Sequence, residues 1–128
     1  MAAMDSSWER TFLAADDRQT LRVASEYLCY PLWLTVGGGG TDNLRPEDLD
    51  LPADLIADLN AWSDEYDAIF PEDDPGSAAF PSSEAEADFY ARGRALAERT
   101  TAAVGSRYRV TYVDRNANAT NEAVVSPD

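Results

Sequence analysis

The stretch from Leu49 to Phe70 constrains the fold of this chain most, because its apolar residues recur at intervals of three and four. That period is the period of an α-helix, so one face is expected to pack on a core while the other faces water. Pro52 suits the first turn of such a helix, and Pro71 is expected to end it. The predicted inner stripe consists of Leu55, Leu59, Trp62, Tyr66 and Ile69.

A second amphipathic helix is predicted between Ser83 and Gly105. Ser83 followed by Glu86 has the pattern of a capping box, and Gly105 stands where a left-handed cap is expected. Gly93 falls on the inner face and predicts a close approach to the first helix or to the sheet. The other residues predicted for that face are Phe89, Leu96, Ala97, Thr100 and Val104.

Two segments have the composition of strands in one small sheet. Leu21 to Leu28 is rich in β-branched and aromatic residues, and Arg107 to Val113 alternates apolar with polar residues. Pro31 interrupts the first, so Leu32 to Val36 is expected to be a second short strand, or the same strand after a bend. The predicted fold is therefore α+β, with two amphipathic helices on one face of a two- or three-stranded sheet, in the order β-(β)-α-α-β.

These elements set the predicted domain boundaries. Residues 20–113 are expected to form a single domain, after a partly ordered extension over residues 1–19 and before a flexible tail over residues 114–128. The run from Gly37 to Gly40 lacks the following Lys and Ser or Thr of a phosphate-binding loop. We interpret that run as a flexible connection.

The charge of the chain is concentrated in its middle segment. There are 24 acids and 10 bases, for a net charge of −14, and every base is Arg. Between Asp42 and Asp88 lie 15 acids and Arg45 alone, so this segment carries the whole excess and the rest is neutral. Such a field repels nucleic acid and anionic membranes and attracts a basic partner. A solvated helix face that serves solubility is the alternative interpretation.

The residue types present argue against several kinds of site. With no His and no Lys, the usual bases that activate a nucleophile are absent, and with Cys29 as the only cysteine so are the usual zinc ligand sets. Cys29 is interpreted as a small buried hydrophobic residue. We therefore expect no enzyme, no cofactor and no metal site. Neither a signal peptide nor about 18 consecutive apolar residues is found, so a cytoplasmic protein is expected.

Several short motifs of aromatic and turn residues carry a family resemblance. They are Tyr30–Trp33, Leu49–Pro52, Leu59–Trp62, Glu65–Asp67, Asp73–Pro75, and Phe89 with Gly93–Arg94 and Leu96–Ala97. From about Val23 to Tyr112 the chain resembles a group of small acidic bacterial proteins, mostly uncharacterised, some of which are similar to the immunity proteins of polymorphic toxin systems. The resemblance supplies no catalytic residues, and it implies a non-catalytic inhibitor that binds a toxin.

The leading hypothesis combines this resemblance with the charge. An acidic surface can occlude the basic cleft of a toxin by presenting carboxylates where phosphates would lie. The alternative is a DNA-mimic or regulatory protein that binds a host nucleic-acid-binding protein, and the choice between monomer and dimer stays open. The residues predicted to bind the partner are Asp64, Glu65, Asp67, Glu72, Asp73, Asp74 and, unless its ring belongs to the core, Trp33.

Overall fold

The computed structural model of the chain describes residues 19–35, 40–115 and 121–125. The extension predicted over residues 1–19 therefore lies outside the described residues, except for its last residue. The same is true of Gly37 to Gly39 in the glycine run, and of residues 116–120 and 126–128 in the predicted tail. The following description concerns the three described ranges alone.

Within these ranges the chain forms five strands and two α-helices. The strands are β1 (Gln19–Val23), β2 (Leu32–Thr35), β3 (Thr41–Leu44), β4 (Tyr108–Asp114) and β5 (Asn121–Val124). The helices are α1 (Ala53–Ala68) and α2 (Ser83–Val104). The strands form one sheet in the order β3-β2-β1-β4-β5, in which β1 and β4 are parallel and every other pair is antiparallel. The predicted α+β class is confirmed.

The predicted count of two or three strands is wrong, because two edge strands give no sequence signal. β3 has the polar sequence Thr-Asp-Asn-Leu, and its first two residues are exposed. β5 lies within the segment predicted as a tail and pairs with β4 only. An edge strand is held by backbone hydrogen bonds on one side and has little apolar surface to bury, so it lacks the alternation by which a strand is recognised.

The first strand is also shorter than predicted, since β1 ends at Val23 rather than at Leu28. The chain turns there, and the N–H of Ala24 donates to the carbonyl oxygen of Pro31 at 3.0 Å. Residues 24–31, here called the β1–β2 loop, thus form a closed turn between two antiparallel strands. The second short strand predicted after Pro31 is confirmed as β2.

One hydrophobic core lies between the two helices and one face of the sheet. The sheet contributes inward-facing residues of β1, β2 and β4, and the helices contribute most of the stripes predicted from their periodicity. Ile69 is the exception, because α1 ends at Ala68 and the side chain of Ile69 lies outside the core. The largest fully buried side chains include Trp62, Tyr112, Phe89, Leu21, Leu32, Leu55 and Leu59. The prediction that Trp62 belongs to the core is confirmed, because only 1% of its surface is exposed.

The N-terminal end of α2 differs from the prediction. The N-cap is Ser82, whose Oγ accepts a hydrogen bond from the N–H of Ala85 at 3.0 Å. The predicted capping box of Ser83 with Glu86 is wrong, because the residue three positions after the N-cap is Ala85. At the other end Gly105 has a positive φ of +63°, which costs glycine little, but its ψ of −133° is not that of the predicted left-handed cap. The residues at its two boundaries therefore determine where α2 begins and ends.

Candidate partner-binding surface

The acids of α1 lie on two different flanks of the helix. Its buried stripe is centred on Leu55, Leu59 and Trp62. At 100° per residue, Asp54, Asp58 and Glu65 fall on the flank beside α2, whereas Asp64 and Asp67 fall on the opposite flank, beside the β1–β2 loop. The two groups have different surroundings, and the sequence alone did not distinguish them.

The flank beside α2 is neutralised by arginines from that helix. Arg99 contacts Asp58 at 2.8 Å and Asp54 at 3.3 Å. Arg92 donates from both of its terminal nitrogens to the two carboxylate oxygens of Glu65, each at 2.8 Å. These hydrogen bonds to Glu65 are the main cause of the raised pKa of Arg92. Glu65, which was predicted to bind the partner, is therefore already engaged by a base of its own chain.

On the flank beside the β1–β2 loop, no arginine of α2 pairs with the acids in the part of the chain that the structure describes. Asp64 is exposed, and no ion pair to it is found within the described residues. Asp67 is half-buried, and its Oδ1 accepts a hydrogen bond from the backbone N–H of Leu28 at 2.9 Å. One turn away, the hydroxyl of Ser63 donates to the carbonyl oxygen of Cys29 at 3.1 Å. This flank of α1 thus holds the β1–β2 loop while it keeps its negative charge.

The acidic turn, residues 71–77, lies beyond the C-terminal end of α1. Glu72, Asp73 and Asp74 are exposed there, as the sequence predicted. Their carboxylates take part in no ion pair found in the described part of the chain. The turn is ordered by its own backbone, since the N–H of Ser77 donates to the carbonyl oxygen of Asp74 at 3.0 Å. Its charge is therefore available to solvent or to a partner.

The β1–β2 loop presents apolar side chains to solvent, which sequence reasoning missed. Leu28 is 73% exposed and Tyr30 is 47% exposed. The loop backbone is nevertheless tied down, because the side chain of Asn43 accepts from the N–H of Tyr30 and donates to its carbonyl oxygen, both at 2.8 Å. The aromatic content of this segment suggested a strand, whereas Pro31 and the break in parity at Ser25 were the available signals for a turn.

A groove separates the β1–β2 loop from α1, and we refer to it as the loop–helix groove. Its volume is about 540 Å³. Its charged lining consists of Glu47, Asp64 and Asp67 against Arg45, and the guanidinium of Arg45 is bound to Asp48 at 2.8 Å. The remaining lining residues are Leu28, Cys29, Tyr30, Asn60 and Ser63. The groove is thus acidic on the helix side and apolar on the loop side.

Cys29 lies at this groove and is half-buried, so its interpretation as a small buried hydrophobic residue is wrong. The side chain is in a turn between two strands instead of inside a strand, which leaves part of it open. Burial raises the pKa of the Cys29 thiol, and the nearby charges of Glu26 and Asp67 raise it further. The thiol is therefore protonated at neutral pH and is a weak nucleophile.

Trp33 lies on the other face of the sheet from the helices. It pairs with Arg22 across β1 and β2, and its neighbour Leu32 points into the core. The Arg22 guanidinium carbon lies 5.8 Å from the centre of the indole ring, and the indole N–H donates to the carbonyl oxygen of Ala24 at 3.4 Å. The structure therefore does not bring Trp33 together with the acids of α1 and the acidic turn.

The acids are spread over a surface instead of converging on one point. Within residues 19–35, 40–115 and 121–125, no group of three or more His, Cys, Asp or Glu side chains is placed to hold a metal ion. In the same ranges no helix has the length and apolar character that would let it cross a membrane. The arrangement presents separated carboxylates beside an apolar loop, which suits contact with another protein.

Comparison with known proteins identifies the family. The family described as Serratia CdiI immunity protein-like matches residues 19–115, which include both helices and strands β1 to β4. No curated protein matches the chain. The family match confirms the resemblance to immunity proteins that the motifs between Val23 and Tyr112 carried. Because the match covers most of its length, this chain belongs to the Serratia CdiI immunity protein-like family.

Proposed function

We propose that this protein is a non-catalytic immunity protein that binds a toxin in the cytoplasm and occludes a basic site on it. The observation that carries the proposal is the family match over residues 19–115. An immunity protein has to bind its toxin, and binding requires a complementary surface but no catalytic residues. The absence of His and Lys from the chain is in keeping with such a role.

The distribution of charge supports a basic partner site. The acids that face α2 are compensated by Arg92 and Arg99, whereas those beside the β1–β2 loop and in the acidic turn have no ion pair in the part of the chain that the structure describes. The acids proposed to engage the toxin are therefore Asp64, Asp67, Glu72, Asp73 and Asp74. We omit Glu65 from the proposed contacts because it is bound by Arg92. We omit Trp33 because it lies on the face of the sheet away from the helices.

Carboxylates on a rigid surface favour a basic partner in two ways. They accelerate encounter through long-range attraction, and they disfavour acidic partners that would bring like charges together. Both effects weaken as salt screens the charges, over a distance of about 8 Å at physiological ionic strength. An inhibitor of this kind is therefore expected to bind quickly at low salt and more slowly at high salt.

The experiment is a binding titration with the cognate toxin domain, which the proposed function predicts to be encoded beside the gene for this chain. The wild-type chain is expected to bind this toxin and to protect cells that produce it. The variant Asp64→Arg, Asp73→Arg, Asp74→Arg leaves Asp67 in place to hold Leu28, so it should fold normally by circular dichroism and bind far more weakly. A wild-type chain without affinity for the toxin contradicts the proposed function. Affinity that neither salt nor the triple variant changes contradicts occlusion of a basic site.

A further inference from the structure

We propose that the toxin docks in the loop–helix groove, where it places an apolar side chain on Leu28 and Tyr30 and a neighbouring Lys or Arg between Asp64 and Asp67. This inference rests on the proposed function, which it makes more specific. It assigns the β1–β2 loop as the apolar part of the binding surface. It also assigns the acidic turn to the periphery.

The apolar part of the argument is the exposure of two side chains on one short loop. Leu28, Tyr30 and Val124 are the exposed large hydrophobic residues in the described part of the chain, and two of the three border this groove. The exposed part of a leucine or tyrosine side chain contributes no apolar burial to the fold. Grouped beside a concave surface, they are typical of the anchors at protein interfaces.

The loop that carries these side chains is already ordered. The N–H of Leu28 is held by Asp67, the carbonyl oxygen of Cys29 by Ser63, and both backbone groups of Tyr30 by Asn43. A partner that binds a preformed loop does not have to order it, so more of the contact energy appears as affinity. The hydrogen bonds thus fix the backbone while Leu28 and Tyr30 stay open to a ligand.

Leu28 also occupies a conformation that is unusual for its side chain, with φ of +60°. A β-carbon makes this left-handed region unfavourable, and glycine or asparagine is the residue normally found there. The fold would therefore be served at least as well by glycine or asparagine at this position. The exposed leucine is therefore consistent with a role in binding rather than in folding.

The charge of the groove is the reason for proposing a Lys or Arg as the second contact of the toxin. The groove is lined by three acids against Arg45, whose guanidinium is bound to Asp48, so a cation is favoured on the side of α1. A larger cavity of about 730 Å³ lies beside the acidic turn, but its charged lining is Glu86 with Arg115 and carries no net charge. Complementarity to a basic toxin therefore favours the loop–helix groove over the larger cavity.

The first test uses the only cysteine of the chain as a reporter, because Cys29 lines the groove. The full-length protein is alkylated with iodoacetamide, alone and with a saturating amount of the toxin, at a mildly alkaline pH that offsets the raised pKa of the thiol. Mass spectrometry follows the modification of this chain alone. Bound toxin is expected to slow the alkylation at least about 10-fold. An unchanged rate in a complex shown to be formed would overturn the proposal.

The second test compares two variants with the same change of charge. Asp64→Asn with Asp67→Asn removes two charges from the groove and keeps an acceptor for Leu28, whereas Asp73→Asn with Asp74→Asn removes two from the acidic turn. The groove variant, and likewise Leu28→Gly, should weaken toxin binding about 10-fold or more, and the turn variant less than about 3-fold. The reverse order would overturn the groove as the docking site while leaving the proposed function intact. A wild-type chain that does not bind the toxin would overturn both.

Discussion

The backbone of Gly93 lies directly against the indole of Trp62. A β-carbon at position 93 would stand less than 3.0 Å from this ring and from the hydroxyl of Tyr112. Both side chains reach past the glycine into α2, where the indole N–H of Trp62 donates to the carbonyl oxygen of Phe89 at 2.9 Å and the hydroxyl of Tyr112 to that of Tyr90 at 2.7 Å. The absence of a side chain at position 93 therefore lets Trp62 of α1 and Tyr112 of β4 pack directly against the backbone of α2.

Gly93→Ala should destabilise the protein although alanine is the better helix former. The gain in helix propensity is about 1 kcal/mol, whereas forcing Trp62 and Tyr112 apart costs about 3 kcal/mol and their buried hydrogen bonds are put at risk. We expect the free energy of unfolding in urea to fall by about 2 kcal/mol. Gly76→Ala is the control, because the nearest atom to its new β-carbon lies at an ordinary 3.8 Å. Equal effects of the two changes would contradict the close packing.

The two helices and this close approach could be predicted from sequence because they depend on local patterns. The stripe that includes Leu55, Leu59 and Trp62 fixes which side of α1 is buried, and a glycine inside the matching stripe of α2 indicates where the elements touch. Each of these signals is contained within one element and is repeated along it. The periodicity of these two long segments therefore predicts both helices and the face that each of them buries.

The binding surface could be predicted only in part, because its properties depend on which elements become neighbours. Asp64 and Glu65 are adjacent acids in the sequence, and the position of Arg92 on the second helix determines that Glu65 is compensated. The exposed Leu28 and Tyr30 look like strand residues until the closing hydrogen bond between Ala24 and Pro31 is known. Charge and composition located the acidic segment, whereas tertiary placement decides which of its acids are compensated.

The side chain of Asn43 supports the β1–β2 loop, and its removal should loosen that loop. Its amide makes three hydrogen bonds, two with Tyr30 and one to the carbonyl oxygen of Leu32 at 2.9 Å. Asn43→Ala is expected to lower the free energy of unfolding by about 2 kcal/mol and to speed hydrogen exchange at the N–H of Tyr30. Asn60→Ala, which removes a single exposed hydrogen bond to Glu47, is the control and should cost no more than about 0.5 kcal/mol. Unchanged exchange at Tyr30 would contradict this role.

Stability should decrease at alkaline pH because of buried tyrosines. Burial raises the pKa of Tyr112, Tyr90 and Tyr66. In the unfolded chain a tyrosine titrates near pH 10, so above that value the unfolded state has lost protons that the folded state keeps. The stability linked to these groups is therefore complete below about pH 10 and is lost as the pH rises toward their folded values.

Urea unfolding as a function of pH measures this effect. With no His or Lys in the chain, the free energy of unfolding should be nearly constant between about pH 6 and pH 8 and should fall above about pH 10. Tyr112→Phe removes one of the three groups and should make the alkaline decrease less steep. A decrease of unchanged slope in that variant would show that Tyr112 is not among the groups responsible.

The neighbouring acids Asp64 and Glu65 provide the sharpest separation of binding from folding. Glu65→Gln and Asp64→Asn each remove one negative charge from α1, at adjacent positions. Glu65 makes two hydrogen bonds with Arg92, so its change should lower the free energy of unfolding by about 0.5 kcal/mol, as is usual for exposed ion pairs, and leave toxin affinity within about 2-fold. Asp64→Asn should leave stability unchanged and weaken toxin binding by about 3- to 10-fold, and raised salt should diminish the difference.

Calorimetric titration measures the toxin affinity of each variant, and urea unfolding measures its free energy of unfolding. The two changes have the same effect on net charge, whereas their positions on the helix differ and only Glu65 is paired with Arg92. If both variants lost affinity equally, the acids would act through the total charge of the chain, and the loop-facing flank of α1 would have no special place in recognition. If only Asp64→Asn lost affinity, Glu65 would lie outside the binding surface, because its carboxylate is already paired with Arg92 of α2.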